Sequence, residues 1–307
     1  MTMSPPHAIA EDLKRARRLE FWTIGWMLSI IVVMGLVMGS SQAMRTAWIE
    51  DILSLIPAIV FLVALHFEGK EPSRRFPYGY HRVHSLAFLI SAVALAAMGA
   101  MLLFESAMTL LKREHVTIPP IRLFGQEVWM GWLMIGALLY SVIPPVILGR
   151  MKLPIAKRLQ DEVLHTDAAM QRADWMTGLA GIAGVAGLGL GYWWADAVAA
   201  GIISLSILRD GLTALRIATA ELVDGAPREL GSNKIAPDAE ALMNELKRLY
   251  PGADVRLRET GRYIHAQICG ARPEEEVDLQ AIWPDDQERA WRLAQLSFVP
   301  PEKEEPA

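Results

Sequence analysis

The groups in this chain best placed to do chemistry are the few acids that stand inside long apolar stretches. His165-Thr166-Asp167-Ala168-Ala169-Met170-Gln171-Arg172-Ala173-Asp174 opens an apolar segment that runs to residue 194. Charge at membrane depth costs about 2.5–3.5 kcal/mol per residue, so a carboxylate there needs a partner or a purpose. Asp167 and Asp174, seven residues apart, share one helix face, with Met170 between them on that face. One other apolar segment has a comparable acidic start, Trp48-Ile49-Glu50-Asp51-Ile52-Leu53-Ser54. Two helices that each carry carboxylates into an apolar bundle predict a cation site between them.

The elements that would position these residues follow from hydropathy. Six spans can be drawn, at residues 21–38, 47–66, 86–111, 129–148, 167–193 and 195–218. The fifth carries Gly178, Gly181, Gly184 and Gly187, a spacing that lets another helix approach closely. Pro57 in span two and Pro144-Pro145 in span four each free a backbone carbonyl and can kink the helix. Basic residues set the orientation. Lys14, Arg15, Arg17 and Arg18 precede span one; Lys70, Arg74, Arg75 and Arg82 follow span two; Arg150, Lys152, Lys157 and Arg158 follow span four. The opposite loops hold only Arg45, Lys112, Arg113 and Arg122, so the positive-inside rule places both termini in the cytoplasm. The charged loop at 151–163 is expected to be an amphipathic helix along the cytoplasmic face.

Composition agrees with a split chain. Of 307 residues, 52% are hydrophobic and mean hydropathy is +0.25, which fits a membrane part joined to a soluble one. A net charge of −4 gives no reason to expect a nucleic-acid partner. The single Cys269 excludes an intrachain disulfide and a cysteine-clustered metal site. The first 18 residues lack a signal peptide's apolar core and cleavage site, so the first span is expected to remain in the protein.

Beyond Asp224-Gly225-Ala226-Pro227 the pattern changes. Ala239, Leu242, Leu246 and Leu249 line one face of a helix over 237–249. Segments 254–258 and 262–269 alternate around Glu259-Thr260-Gly261 as a hairpin, and 285–296 is expected to form a second helix. The fold class is therefore an all-α six-span membrane domain plus a small α+β cytoplasmic domain with the order αββα. The boundaries are a cytoplasmic segment at 1–20, the membrane domain at 21–220, the soluble domain at 221–299 and an acidic disordered tail at 300–307.

At this level the sequence resembles the cation diffusion facilitator, or cation efflux, family. Phe76-Pro77-Tyr78-Gly79-Tyr80 resembles the family's Pro-Tyr-Gly-His loop. Asp167 to Asp174 is similar to its Ala-Asp-x-x-His-x-x-x-Asp, and Tyr192-Trp193-Trp194-Ala195-Asp196 to its aromatic-Asp entry to the sixth helix. The soluble tail resembles the family's ferredoxin-like domain. The resemblance implies a homodimer in the bacterial inner membrane that exports a divalent metal ion in exchange for protons. It also implies an ion site made by an i, i+4 pair on each of helices two and five. Those positions fall on Glu50 and Ser54, with Asp51 adjacent, and on Met170 and Asp174. The family's Asp/Asp and His/Asp set is thus altered at two of four positions. Phe76 and Tyr80 replace histidines of a second, interfacial site, which implies that this accessory site is absent, with His81 and His84 nearby. For the soluble tail, only His265 and scattered carboxylates are available to a metal.

Carboxylates and a hydroxyl favour harder ions such as Mn²⁺, Fe²⁺ or Mg²⁺, and a thioether adds affinity for softer ones such as Cd²⁺; Co²⁺ and Zn²⁺ stay open as well. Asp51 is turned about 100° from Glu50, so the two are not expected to ligate together without rotation. Asp167 is a reserve ligand or gate from a turn below, and His165 a ligand or proton carrier at the entrance. Alternatives stay open for each. Glu50 and Asp51 can cap a helix, Asp167 can be a helix-start acid, Asp174 can pair with Arg172, and Met170 can be core filler. Glu105 and Asp210 receive no site role. The ion is substrate, and no prosthetic group is implied. The chain has neither a Gly-x-x-x-x-Gly-Lys-Ser/Thr loop nor a His-Glu-x-x-His pair, so an enzyme is not expected. The rival from another class is a metal sensor or scaffold of the same shape.

Overall fold

The computed structural model describes residues 7–37, 48, 51–113, 120–123, 126–189, 192, 194–272, 277–284 and 287–300. Among the described residues, the first two thirds contain the helices α1 (His7–Val37), α2 (Leu55–Glu68), α3 (Arg82–Lys112), α4 (Met130–Leu159), α5 (Glu162–Gly189) and α6 (Ala195–Leu222). A short hairpin, β1 (Pro120–Leu123) and β2 (Gln126–Trp129), joins α3 to α4. Among the described residues, four helices are long and apolar enough to cross a membrane: His7–Leu36, Asp51–Glu68, Arg82–Lys112 and Gly131–Leu159.

Each helix buries a stripe and exposes apolar residues on its other side. On α1, Ala16, Glu20, Thr23, Met27, Ile30 and Met34 are buried at three- and four-residue spacing, whereas Trp22, Val32 and Leu36 are exposed. An apolar outer surface of this kind suits a lipid solvent. Small residues bring the helices close. A Cβ at Gly99 of α3 would lie 2.5 Å from the Leu208 nitrogen of α6, and one at Gly211 of α6 would lie 2.6 Å from the Ala96 Cα. Gly178 and Gly181 on α5 face Val142 and Leu138 of α4, so these two glycines serve close packing.

Two differences from expectation bear on the site. The charged stretch 151–163 is no separate surface helix, because α4 continues to Leu159 and α5 starts at Glu162. The helical turns before α2 are interrupted at Ser54. Pro57 has no N–H for the Leu53 carbonyl, which loosens the backbone at that point.

The C-terminal unit holds α7 (Pro237–Leu249), β3 (Asp254–Thr260), β4 (Tyr263–Cys269), the four-residue α8 (Leu279–Ile282), a 3₁₀ turn (Gln287–Arg292) and β5 (Leu293–Val299). Strand order is β3-β4-β5, with β3/β4 antiparallel and β4/β5 parallel. Leu242 and Leu246 of α7 pack on Val255, Leu257, Ile264 and Ile268. The αββα order is corrected here: residues 293–299 are a third strand rather than the end of a helix. The good helix formers in that stretch are overridden by pairing with β4, which shows how strongly tertiary context acts on local preference.

Candidate metal centre

The interrupted start of α2 places Ser54 against the middle of α5. Ser54 is fully buried, and its hydroxyl donates to Asp174 Oδ1 at 2.7 Å. Met98 of α3 brings its sulfur to 3.9 Å from the same hydroxyl. Asp174 Oδ2 and Asp51 Oδ2 are buried with no hydrogen-bond partner among the described residues. Buried polar atoms are nearly always paired, so these two oxygens mark a place suited to a proton or a cation. The charges of Asp51, Asp167 and Lys152 all act on Asp174. Arg172 does not pair with Asp174; it pairs with Asp210 of α6.

Met170 is fully buried and packs with Leu95, Met98, Ala173 and Ile207. Two thioethers thus share the apolar wall beside the Ser54–Asp174 contact. Nothing in the sequence singles out Met98, because a methionine in an apolar helix is ordinarily filler. Glu50 lies outside the described residues. Among the described residues, no three His, Cys, Asp or Glu side chains converge as a metal cluster. What the described part offers is two carboxylates, one hydroxyl and neighbouring sulfur.

Seven residues before Asp174 on α5, Asp167 meets two residues that sequence spacing does not place with it. Lys152 of α4 lies 2.9 Å from Glu20 Oε2 of α1 and pairs with Asp167 Oδ2 of α5, and all three side chains are fully buried. By hydropathy alone Lys152 belongs with the loop cations. His165 falls about half a turn round α5 from Asp174 and packs on the C-terminal unit, where a Cβ at Gly231 would fall against its ring. It lines a cavity of about 350 Å³ with Arg150, Arg172 and Arg209. Asp167 and Asp174 therefore share a face, and His165 does not.

The histidines after α2 serve the contact between the helical bundle and the C-terminal unit. His84 Nε2 lies 2.8 Å from Glu68 Oε2 and 2.9 Å from Arg262 Nη2. Arg262, at 1% exposure, also reaches Asp161 at 3.0 Å and Glu68 at 3.2 Å. His81 packs edge-on against Tyr263, with centroids 4.8 Å apart, and Phe76 packs on Tyr80. Glu221 accepts from Ser85 Oγ at 2.6 Å and from the Gly261 N–H at 2.7 Å; burial pushes its carboxyl up to about 7. Glu162 accepts from the Gly231 N–H at 3.0 Å, and burial pushes it up to about 8. In the C-terminal sheet, His265 Nδ1 is engaged with Gln295 Oε1 at 2.9 Å.

Comparison with known families matches residues 21–223 to the cation efflux transmembrane domain. The chain belongs to the cation efflux family. It is 20% identical over 229 residues to the manganese efflux system protein MneS of Bacillus subtilis, covering 74% of this chain and 73% of that one. It is 23% identical over 265 residues to the zinc transporter ZitB of Yersinia pseudotuberculosis, covering 84% and 79%. A 100-residue stretch is 30% identical to the probable proton-coupled zinc antiporter SLC30A4 of mouse, covering 31% and 23%. This cation efflux protein is thus a transmembrane metal transporter and not an enzyme. Its apolar helices are those of an integral membrane protein.

Proposed function

We propose that this chain is a homodimeric, six-span exporter that moves a divalent metal ion out of the cytosol in exchange for protons. It sits in the bacterial inner membrane with both termini in the cytoplasm, an orientation supported by the distribution of Lys and Arg among the loops. The soluble αββ-3₁₀-β unit is the cytoplasmic ferredoxin-like domain of each protomer. The observation that carries the reading is the buried Ser54–Asp174 contact between α2 and α5, with an unpartnered oxygen on Asp174 and another on Asp51.

The ion is held between α2 and α5 by Asp174, Ser54 and Asp51 or Glu50, with Met170 as a softer neighbour. Oxygen donors in the majority suit Mn²⁺, Fe²⁺ or Mg²⁺, and sulfur broadens the range to Zn²⁺, Co²⁺ or Cd²⁺. Protons and metal compete for the same carboxylates, because ligation requires the deprotonated form. Metal entry therefore expels protons, and metal release readmits them. A probable antiporter among the relatives supports the coupling.

Flux in sealed proteoliposomes under an imposed pH gradient tests this. One or more of the named ions should move only with the gradient, and Asp174→Ala should abolish that movement. The altered positions Ser54 and Met170 keep a second reading, a sensor or scaffold of this shape. It predicts no flux for any ion, with Asp174→Ala changing dimerisation or partner binding instead.

A further inference from the structure

The fully buried group Glu20, Lys152 and Asp167 has more oxygen than an ion pair uses. The Lys152 ammonium takes one oxygen of each carboxylate. Glu20 Oε1, Asp167 Oδ1 and both amide atoms of Gln171 are buried with no partner among the described residues. Gln171 is itself fully buried. It stands one turn above Asp167 on the same face of α5. It also packs against Gly149 of α4, where a Cβ would lie 3.1 Å from the Gln171 Cβ. Gly149 precedes Lys152 by three residues, so Gln171–Gly149 and Asp167–Lys152 are successive turns of one α4–α5 contact. Two carboxylates, from α1 and α5, thus meet on one positive charge that is covalently part of the chain, with the unpartnered Gln171 amide one turn along α5 from Asp167. A lysine ammonium is a compact, strongly hydrated point charge, the organic group nearest in kind to a small hard cation.

We propose that Glu20, Asp167 and Gln171 form a second cation subsite, below the Ser54–Asp174 centre, which the protein fills with its own Lys152 ammonium. The subsite takes a hard divalent cation such as Mn²⁺ when that ammonium is absent. In the intact protein Lys152 competes with an incoming ion for Glu20 and Asp167. Competition on an ion path rests on the exporter reading; the subsite itself does not.

The test counts bound Mn²⁺ per protomer in the purified full-length protein, by equilibrium dialysis with spin-resonance detection of free Mn²⁺. Lys152→Gln should bind one Mn²⁺ more than the wild type, whatever number the wild type binds. Adding Glu20→Gln to it should remove that extra ion. Adding Asp174→Ala should leave the extra ion in place, which separates this result from the fate of the exporter reading. Equal stoichiometry for Lys152→Gln and wild type overturns the proposal. If Lys152→Gln does not survive purification, it is prepared again in millimolar Mn²⁺. Recovery of the folded protein only with Mn²⁺ supports the subsite, and aggregation in both conditions overturns it.

Discussion

Ser54 and Asp174, 120 residues apart in sequence, are joined by a 2.7 Å hydrogen bond that ties the broken start of α2 to the middle of α5. The hydroxyl stabilises one carboxylate oxygen and leaves the other without a partner among the described residues. Ser54→Ala removes the donor from a buried acceptor, which costs about 1–3 kcal/mol. Thermal unfolding of the detergent-solubilised protein should show that loss. Ser54→Asp restores a carboxylate at this position and should tighten Mn²⁺ binding by about tenfold, or about 1.4 kcal/mol, in calorimetric titrations. An unchanged affinity in Ser54→Asp would place Ser54 outside the ion's shell.

Met170 separates packing from ligation. Met170→Leu conserves volume and should cost less than about 1.5 kcal/mol. If the thioether helps to hold the ion, the preference for Cd²⁺ over Mn²⁺ in binding should fall while the fold stays intact. An unchanged preference would leave Met170 as a packing residue of its cluster with Met98 and Ile207.

Arg262 holds the C-terminal unit to the helical bundle through Glu68 and Asp161. Arg262→Met leaves those carboxylates and His84 facing one another without their cation. Breaking a buried pair from one side costs about 3–5 kcal/mol. Limited proteolysis should then cut near residues 223–236 faster than in the wild type, and a wild-type digestion pattern would contradict the account.

The same junction should respond to pH. Glu221 and Glu162 are raised from 4.5 to about 7 and about 8 by burial. The folded state therefore holds protons that the unfolded chain has already released. Their contribution is fully present below about pH 4.5 and is lost as pH rises through 7 and 8. His81, His165 and His265 are lowered from 6.5 by burial and act in the opposite sense, but below that value. Between pH 7 and 8.5 the carboxylates dominate, so thermal stability should fall with rising pH. Glu221→Gln should flatten the slope; a slope unchanged in that variant would contradict the assignment.

Much of this is legible in the sequence, and the reasons differ from residue to residue. Asp174 stands out because acids are rare in apolar segments, and Ser54 is paired with it only through the resemblance of positions 50 and 54 and 170 and 174 to the family's i, i+4 pairs. α7 and the β3–β4 hairpin announce themselves by period. β5 does not: its burial along the strand lacks clean alternation, and Ala, Arg, Leu and Gln around it favour helix locally. Lys152 reads as a solvated cation because a hydropathy window closes four residues earlier. Its burial depends on Glu20 and Asp167, brought in by α1 and α5, and no local pattern carries that. Met98 is silent for the same reason, since only the fold sets its sulfur beside Ser54.

The most direct test of the central claim is metal flux into sealed proteoliposomes carrying wild type or Asp174→Ala, under an imposed pH gradient. Mn²⁺, Fe²⁺, Co²⁺, Zn²⁺, Cd²⁺ and Mg²⁺ are offered in turn. The account predicts gradient-dependent flux of at least one ion by the wild type and none by the variant. Equal flux by both proteins, or no flux by a correctly folded wild-type dimer, would contradict it.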